Sequence, residues 1–256
     1  MSKLKSLLLS DDPVGELWDL FHSDQISEID KSLASLRMDI PKGYHHKNVL
    51  DHSIRVLDNS LSREPDSKDL ILRTAALFHD IGKPTTREFH GKGKVTFTNH
   101  DVVGAKMIRN ILPQHGYSKA EIKAIGQIVF MHMRSHTFKT GWTESAVRRL
   151  STQAGSDQNL ERLIVIFKSD ATTKDPKKVA RIVRSVDELS EELARVKSKD
   201  ERAALRPALN GHEVAEIFGL KPGPELGLVM KFLNSDEMIG RTRAESITAV
   251  ESFLKC

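Results

Sequence analysis

The run LILRTAALFHD, residues 70–80, sets Leu72, Ala75, Ala76 and Phe78 at helical spacing and ends that apolar face in His79-Asp80. A helix with such a face must be buried, and it carries an imidazole and a carboxylate inward with it. Burying even a neutral polar group without a partner costs roughly 2–7 kcal/mol, and an unpaired charge costs far more. The chain can therefore fold only in a way that brings compensating groups to Asp80. Candidates stand on other apolar helical faces. His52 lies between Leu50 and Ile54, and His100 stands at a helix start. His132 follows Ile122, Ile125, Ile128 and Val129, and Asp170 follows Leu163, Ile164 and Phe167. Taken singly, each histidine reads as a hydrogen-bonded core residue, Asp170 as a cap for the following turn and His79-Asp80 as a helix-end charge pair. Taken together, two buried aspartates and several histidines compensate one another by holding a divalent cation. Imidazole and carboxylate donors suit Mn, Fe, Co, Ni or Zn and do not resemble a Cys-rich structural zinc site.

The rest of the pattern is helical. Residues 1–40 predict two short helices, one from Val14, Leu17, Trp18 and Phe21 and one from Ile26, Ile29, Leu33 and Leu36. Further helices are predicted over 47–61, 69–80, from near Asn99, from Ser118 to about Arg134, from Gly141–Thr143 to Gly155, and over 158–170. Ser118 with Glu121 and Asn210 with Glu213 form capping boxes, and Asp175-Pro176 opens a long helix to about Lys199. The last helices follow KPGPELG. The one β signal is FHGKGKVTFT, where Phe89, Val95 and Phe97 flank a Gly-rich turn. The expected fold is all-α with one small β-hairpin. Its expected divisions are a helical segment over 1–42, a central domain over 43–175 and helical C-terminal segments over 176–256. The apolar run Leu7-Leu8-Leu9 is too short for a signal sequence, and no stretch nears the roughly 20 apolar residues of a membrane span. The single cysteine, Cys256, permits no intrachain disulfide. A cytoplasmic protein without a membrane partner is expected.

The order His52, His79-Asp80, Asp170 resembles the H…HD…D signature of the HD superfamily of metal-dependent phosphohydrolases. His100 and His132 are similar to the extra histidines of its two-metal members, and HDIGKP is a frequent form of the central motif. Further stretches resemble the HD-containing C-terminal body of bacterial tRNA nucleotidyltransferases, the CCA-adding enzymes. These are HHKNVLDHSIRVL, LRTAALFHDIGKP, VTFTNHDVVGAKM, VFMHMRSH, KSDATTK and LNGHEVAEIFGLKPGPELG. Nucleotide addition in that family uses paired carboxylates, typically Asp-x-Asp, and no Asp-x-Asp occurs in this sequence. Nucleotidyl transfer by this chain alone is not expected.

The resemblance implies an HD-domain helical bundle with one or two divalent ions (Mn, Ni, Co, Fe, Mg or Zn). His52, His79, Asp80 and Asp170 would hold one, and His100 and His132, with Asp80 bridging, a second. Such ions activate water for attack on phosphorus. Asp80 and Lys83 are the candidate catalytic residues, Lys83 neutralising phosphate charge or, alternatively, serving as a helix C-terminal cation. Arg134 and His136 are candidate substrate contacts. Lys174, Lys177, Lys178 and Arg181, with Lys168 and Arg184, crowd the start of the long helix. They form either a solvated charged face or a phosphate-binding surface on a chain of net charge +4. The leading expectation is a phosphohydrolase or phosphodiesterase acting on a nucleotide, a 2′,3′-cyclic phosphate or an RNA end. The second is a non-catalytic RNA-binding body, for tRNA, that partners a separate nucleotidyltransferase.

Overall fold

The computed structural model describes residues 1–38, 48–64, 67–91, 94–137, 142–204 and 206–255, with the side chains of 136, 137, 203 and 204 not among what it describes. His45, His46, Gly141, Cys256, the 42/43 boundary and the side chain of His136 therefore lie outside the described residues. The described residues form two compact units, Met1–Leu193 and Ala194–Cys256. The fold is all-α with one two-stranded antiparallel hairpin. No helix among the described residues is long and apolar enough to cross a membrane.

The first unit is built around α5 (Leu70–Phe78), whose residues from Leu72 to Phe78 are all buried. Asp69 caps it by accepting from the Ile71 and Leu72 amides. Small side chains at Ala75 and Ala76 let neighbours approach closely. α5 packs against α1 (Lys3–Leu8), α4 (Val49–Leu61), α7 (Lys119–Met131) and α9 (Asp157–Ser169). The stripe Leu50, Ile54 and Leu57 on α4 is fully buried, and Asn48 caps that helix. α6 (His100–Ile111) and α7 form a helical hairpin through a 3₁₀ turn, Leu112–His115, and Gly116 in the left-handed conformation. The predicted capping box at Ser118 and Glu121 is present. The strands β1 (Glu88–His90) and β2 (Lys94–Thr96) pair with Phe89 opposite Val95. α8 (Glu144–Ala154) runs from Thr143 as cap to Gly155 at positive φ. Asp175 caps α10 (Pro176–Ala204), its carboxylate accepting from the Lys177 and Lys178 amides.

Two local expectations are corrected. The N-terminal stretch holds three short helices, α1, α2 (Pro13–His22) and α3 (Lys31–Ser35), with a 3₁₀ turn at Ile26–Glu28. Ser2, Asp12 and Asp30 each accept a first-turn amide, so each starts a helix of its own, and Asp24 at φ 63° breaks the run. The helix expected to reach Arg134 ends at Met131 and continues as a 3₁₀ turn, His132–Thr137. His132 turns back to its own chain there, for a reason that belongs to the site.

The second unit has α11 (Gly211–Phe218), α12 (Pro224–Leu233) and α13 (Arg243–Phe253) around Leu209, Val214, Val229, Leu233, Met238 and Val250. Asn210 with Glu213 and Thr242 with Glu245 form capping boxes, and Gly219 at positive φ closes α11.

Two buried polar clusters tie the N-terminal segment to the rest of the first unit. Asp30 accepts from His115 Nε2 at 2.9 Å and from Gln114 Nε2 at 3.1 Å while capping α3. Arg73 donates to both oxygens of Glu64 and to the Leu8 carbonyl at 2.7 Å. Both side chains of that ion pair are buried, at 8% and 7% exposure. Removing the guanidinium strands a buried carboxylate and a carbonyl, so Arg73→Ala is expected to lose about 3–5 kcal/mol in urea unfolding. Arg73→Met combined with Glu64→Leu is expected to recover most of that loss. A single variant of near wild-type stability would show that the pair does not hold α1 in place.

Candidate metal centre

His79 caps the C-terminus of α5, and His132 follows the last residue of α7. The last carbonyls of a helix have no amide partner within it. Each histidine satisfies one, three residues back. His79 Nδ1 donates to the Ala76 carbonyl at 2.8 Å and His132 Nδ1 to the Val129 carbonyl at 2.6 Å. This contact accompanies the change from α-helix to 3₁₀ turn at His132. His100, at the start of α6, makes the same i−3 contact with the Phe97 carbonyl at 2.8 Å. A carbonyl only accepts, so Nδ1 carries the proton in all three rings, and a neutral ring presents Nε2 as a bare lone pair.

Those lone pairs converge on Asp80. Its Oδ2 lies 3.2 Å from His79 Nε2 and 3.5 Å from His52 Nε2. Its Oδ1 lies 3.3 Å from His100 Nε2 and 3.7 Å from His132 Nε2. Asp170 Oδ1 lies 3.0 Å from His52 Nε2 and 3.9 Å from His79 Nε2. Two triads result, His52, His79 and Asp170 on one side and Asp80, His100 and His132 on the other, and the ligand atoms of each triad lie within 4.8 Å of one another. Asp80 stands between them with one oxygen toward each. All six side chains that the sequence singles out as ligands meet here.

The donor chemistry fits a cation. His100 Nε2 and His132 Nε2 face each other at 3.2 Å. With both Nδ1 protons committed to carbonyls, two lone pairs oppose each other, and a positive charge between them, a metal ion or an added proton, relieves the repulsion. His52 and His79 repeat the contact at 3.1 Å, where Thr172 Oγ1, 3.0 Å from His52 Nδ1, leaves the His52 tautomer open. Outer partners that orient a ring in this way are what metal-ligating histidines require.

Electrostatics keep the bridging carboxylate charged. Burial pushes Asp80 upward, but the charges beside it, led by the Lys83 ammonium, outweigh it and hold Asp80 well below the usual carboxylate range. Burial alone lowers His79, and the Asp80 carboxylate reverses that and raises it. Burial lowers His132, which favours its neutral, ligating form.

The other singled-out residues are spread around this cluster. Lys83 Nζ sits 2.5 Å from Asp80 Oδ2 with its side chain 20% exposed. Arg134 lies with its guanidinium 5.4 Å from the Phe130 ring centroid. Lys174, Lys177, Lys178, Arg181 and Arg184 are exposed around the start of α10, whereas Lys168 is drawn away into an ion pair with Asp187 at 2.6 Å. Sequence reasoning missed the supports of the ligands. Thr172, two residues after Asp170, orients His52, and Asn59 donates to the Ser169 carbonyl at 2.9 Å beside Asp170. It also missed a close backbone approach: Gly82, in the turn after Asp80, lies against the first turn of α6, near Gly104.

Among known proteins, a family model described as HD domain matches residues 49–192. The chain is 30% identical over 199 residues to an A-adding tRNA nucleotidyltransferase of Deinococcus radiodurans, covering 77% of this chain and 44% of that protein. It is 29% identical over 202 residues to a CC-adding tRNA nucleotidyltransferase of Thermus thermophilus, covering 78% and 43%. A bifunctional uridylyltransferase/uridylyl-removing enzyme of Vibrio parahaemolyticus is 26% identical over 152 residues, covering 52% of this chain and 16% of that protein. The chain thus spans less than half the length of these curated relatives.

The glycine contact supplies a test of how the two triads are held in register. A Cβ on Gly82 would overlap the His100 carbonyl oxygen and come within 2.7 Å of Gly104 N. Both are backbone atoms of a packed helix, so α6 must shift. Gly82→Ala is expected to destabilise the fold by about 1–3 kcal/mol in denaturant unfolding. Unchanged stability would mean that α6 does not sit against the turn that carries Asp80.

Proposed function

This chain belongs to the HD domain family, and on that premise we propose that it is a metal-dependent phosphohydrolase or phosphodiesterase acting on a nucleotide, a 2′,3′-cyclic phosphate or an RNA end. One observation carries the reading. His100 and His132, both tautomer-locked, aim bare nitrogens at each other across 3.2 Å beside a buried carboxylate. Such an arrangement is costly unless a cation occupies it.

His52, His79 and Asp170 would hold one divalent ion and His100 and His132 a second, with Asp80 shared. Such ions supply Lewis acidity, which acidifies water and offsets charge building on phosphate oxygens. The chain's own residues do the positioning. The three i−3 carbonyl contacts keep each Nε2 on target without further ordering. Lys83, partly exposed beside Asp80, is placed to reach a phosphate oxygen from the solvent side. A cleft of about 100 Å³ adjoins Asp170, with Ser135 and Ser185 in its lining. That volume suits a phosphate-sized group with hydroxyl donors beside it. Arg134 follows His132 in the same 3₁₀ turn, and the exposed cations of α10 follow Asp170 within a few residues, so both reach outward toward the remainder of a polyanionic substrate. The relatives' names, two tRNA nucleotidyltransferases and one uridylyl-adding and uridylyl-removing enzyme, support a nucleotidyl or RNA phosphate ester.

A second reading is a non-catalytic RNA-binding body that partners a separate nucleotidyltransferase. The exposed run Lys174, Lys177, Lys178 and Arg181 and the tRNA nucleotidyltransferase relatives favour it. The two readings part in one experiment. Phosphomonoesters, 2′,3′-cyclic nucleotides and short RNAs are offered with Mn, Ni, Co, Mg or Zn in turn. Hydrolysis is expected with at least one metal, with a loss of at least about 100-fold in Asp80→Ala. Salt-sensitive tRNA binding without turnover under any metal would select the second reading instead. A companion measurement is metal content: wild-type protein is expected to retain bound ion, and His79→Ala, at unchanged helical circular dichroism, to lose it. Equal contents in the two proteins would remove His79 from the ligand set.

A further inference from the structure

The outer side of the α6–α7 hairpin carries a feature that the metal centre does not use. On α6, His100, Gly104, Ile108 and Ile111 share the buried face. Val102, Lys106 and Arg109 stand about half a turn away, at 3.6 residues per turn. With residues of α7 they line a groove of about 800 Å³. Its floor is apolar, from Val102, Ala105, Ile122 and Phe130. Ala105 and Gly126 keep it deep, because neither carries a side chain beyond Cβ.

The rim is positive. Lys106, Arg109, Lys119 and Lys123 line the groove, and all four are exposed. None has an ion-pair partner among the described residues. No acidic side chain among the described residues lines it. Glu121, the acid nearest on α7, is turned away to the Ser118 amide and Lys5.

We infer that this groove is a docking site for an acidic amphipathic helix of a partner protein. Lys119 and Phe130 stand roughly 16 Å apart along α7, at about 1.5 Å per residue, the length of three helical turns. A helix laid there would bury an apolar i, i+3, i+7 stripe on the floor and set carboxylates against the four cations. A polynucleotide fits less well, since Phe130 is the one aromatic among the described residues in the lining and base stacking needs several such platforms. A second copy of this chain is also a poor occupant. Its most acidic helical stretch, from Asp187 to Glu192, has its own apolar residues Val186 and Leu189 already buried. The inference does not depend on the metal centre: of its candidate ligands only His100 and His132 come from this hairpin, both are buried, and neither lines the groove.

The test uses the full chain and fluorescence anisotropy. The probe is a synthetic helix of about 14 residues, with Leu at i, i+3, i+4 and i+7 and Glu on the flanking positions. A scrambled peptide of the same composition and a single-stranded oligouridylate serve as comparisons. The acidic helix is expected to bind the wild-type protein at least about tenfold more tightly than the scrambled peptide. That advantage is expected to disappear in Lys106→Glu/Arg109→Glu/Lys123→Glu, whose altered residues are all on the surface. Ile122→Ser, which roughens the floor and leaves the charges, is expected to weaken the helix as well. Equal binding of helix and scrambled peptide would reduce the groove to diffuse positive charge. Loss of oligouridylate binding alone in the triple variant would assign it to nucleic acid, and a concentration-dependent dimer abolished by the triple variant would assign it to a second copy. Each of these three results would overturn the proposal.

Discussion

The structure depends on how a buried carboxylate is kept charged. Asp80 is 1% exposed, and the charges beside it, led by the Lys83 ammonium, hold its carboxyl well below the usual range. Four imidazoles and one ammonium surround its two oxygens. An isolated charge at that depth would cost several kcal/mol after all relaxation, enough to threaten a fold whose net stability is only about 5–15 kcal/mol. Of the helices that bring these groups in, α4, α7 and α9 pack directly on α5, and α6 joins through its hairpin with α7. Core and site are therefore one construction, with α5 supplying both the centre of the apolar packing and the charge at its end.

The histidines solve two problems with one ring. At a helix end a carbonyl needs a donor, and at a cation site a nitrogen lone pair needs a fixed direction. An imidazole that gives Nδ1–H to the carbonyl three residues back satisfies both. His79 and His132 use helix C-termini for this, and His100 uses the turn before α6. The result is a set of nitrogens held in place by backbone rather than by mobile side chains, at the expense of mutual repulsion when no cation is present.

The α6–α7 hairpin shows how one element can serve two purposes. Its inner face ends in His100 and His132, while its outer face is an apolar floor under four cations that have no ion-pair partner among the described residues. Helical periodicity separates the two, so substitutions on one face need not disturb the other. Close backbone contact at Gly82 and Gly104 locks the inner face to the turn carrying Asp80.

Much was legible in the sequence because it is local. The helix starts read at Ser118, Thr143, Asp175 and Asn210, and the stop read at Gly155, act within a few residues, and the structure places helix boundaries at them. The hairpin around Phe89 and Val95 is likewise short-range. The order His52, His79-Asp80, His100, His132, Asp170 identified the side chains that meet, because polar groups on apolar faces have nowhere else to go. What the sequence could not decide depends on groups far apart in the chain. Lys168 counted as part of a basic cluster until its partner Asp187 was seen across the helices. The supporting Thr172, the orientation of each imidazole and the division of Asp80 between two triads follow from how five helices converge. So does the groove, which exists only because α6 and α7 lie side by side with small residues between them. Periodicity told which residues face inward; only packing in three dimensions determined what each of them faces.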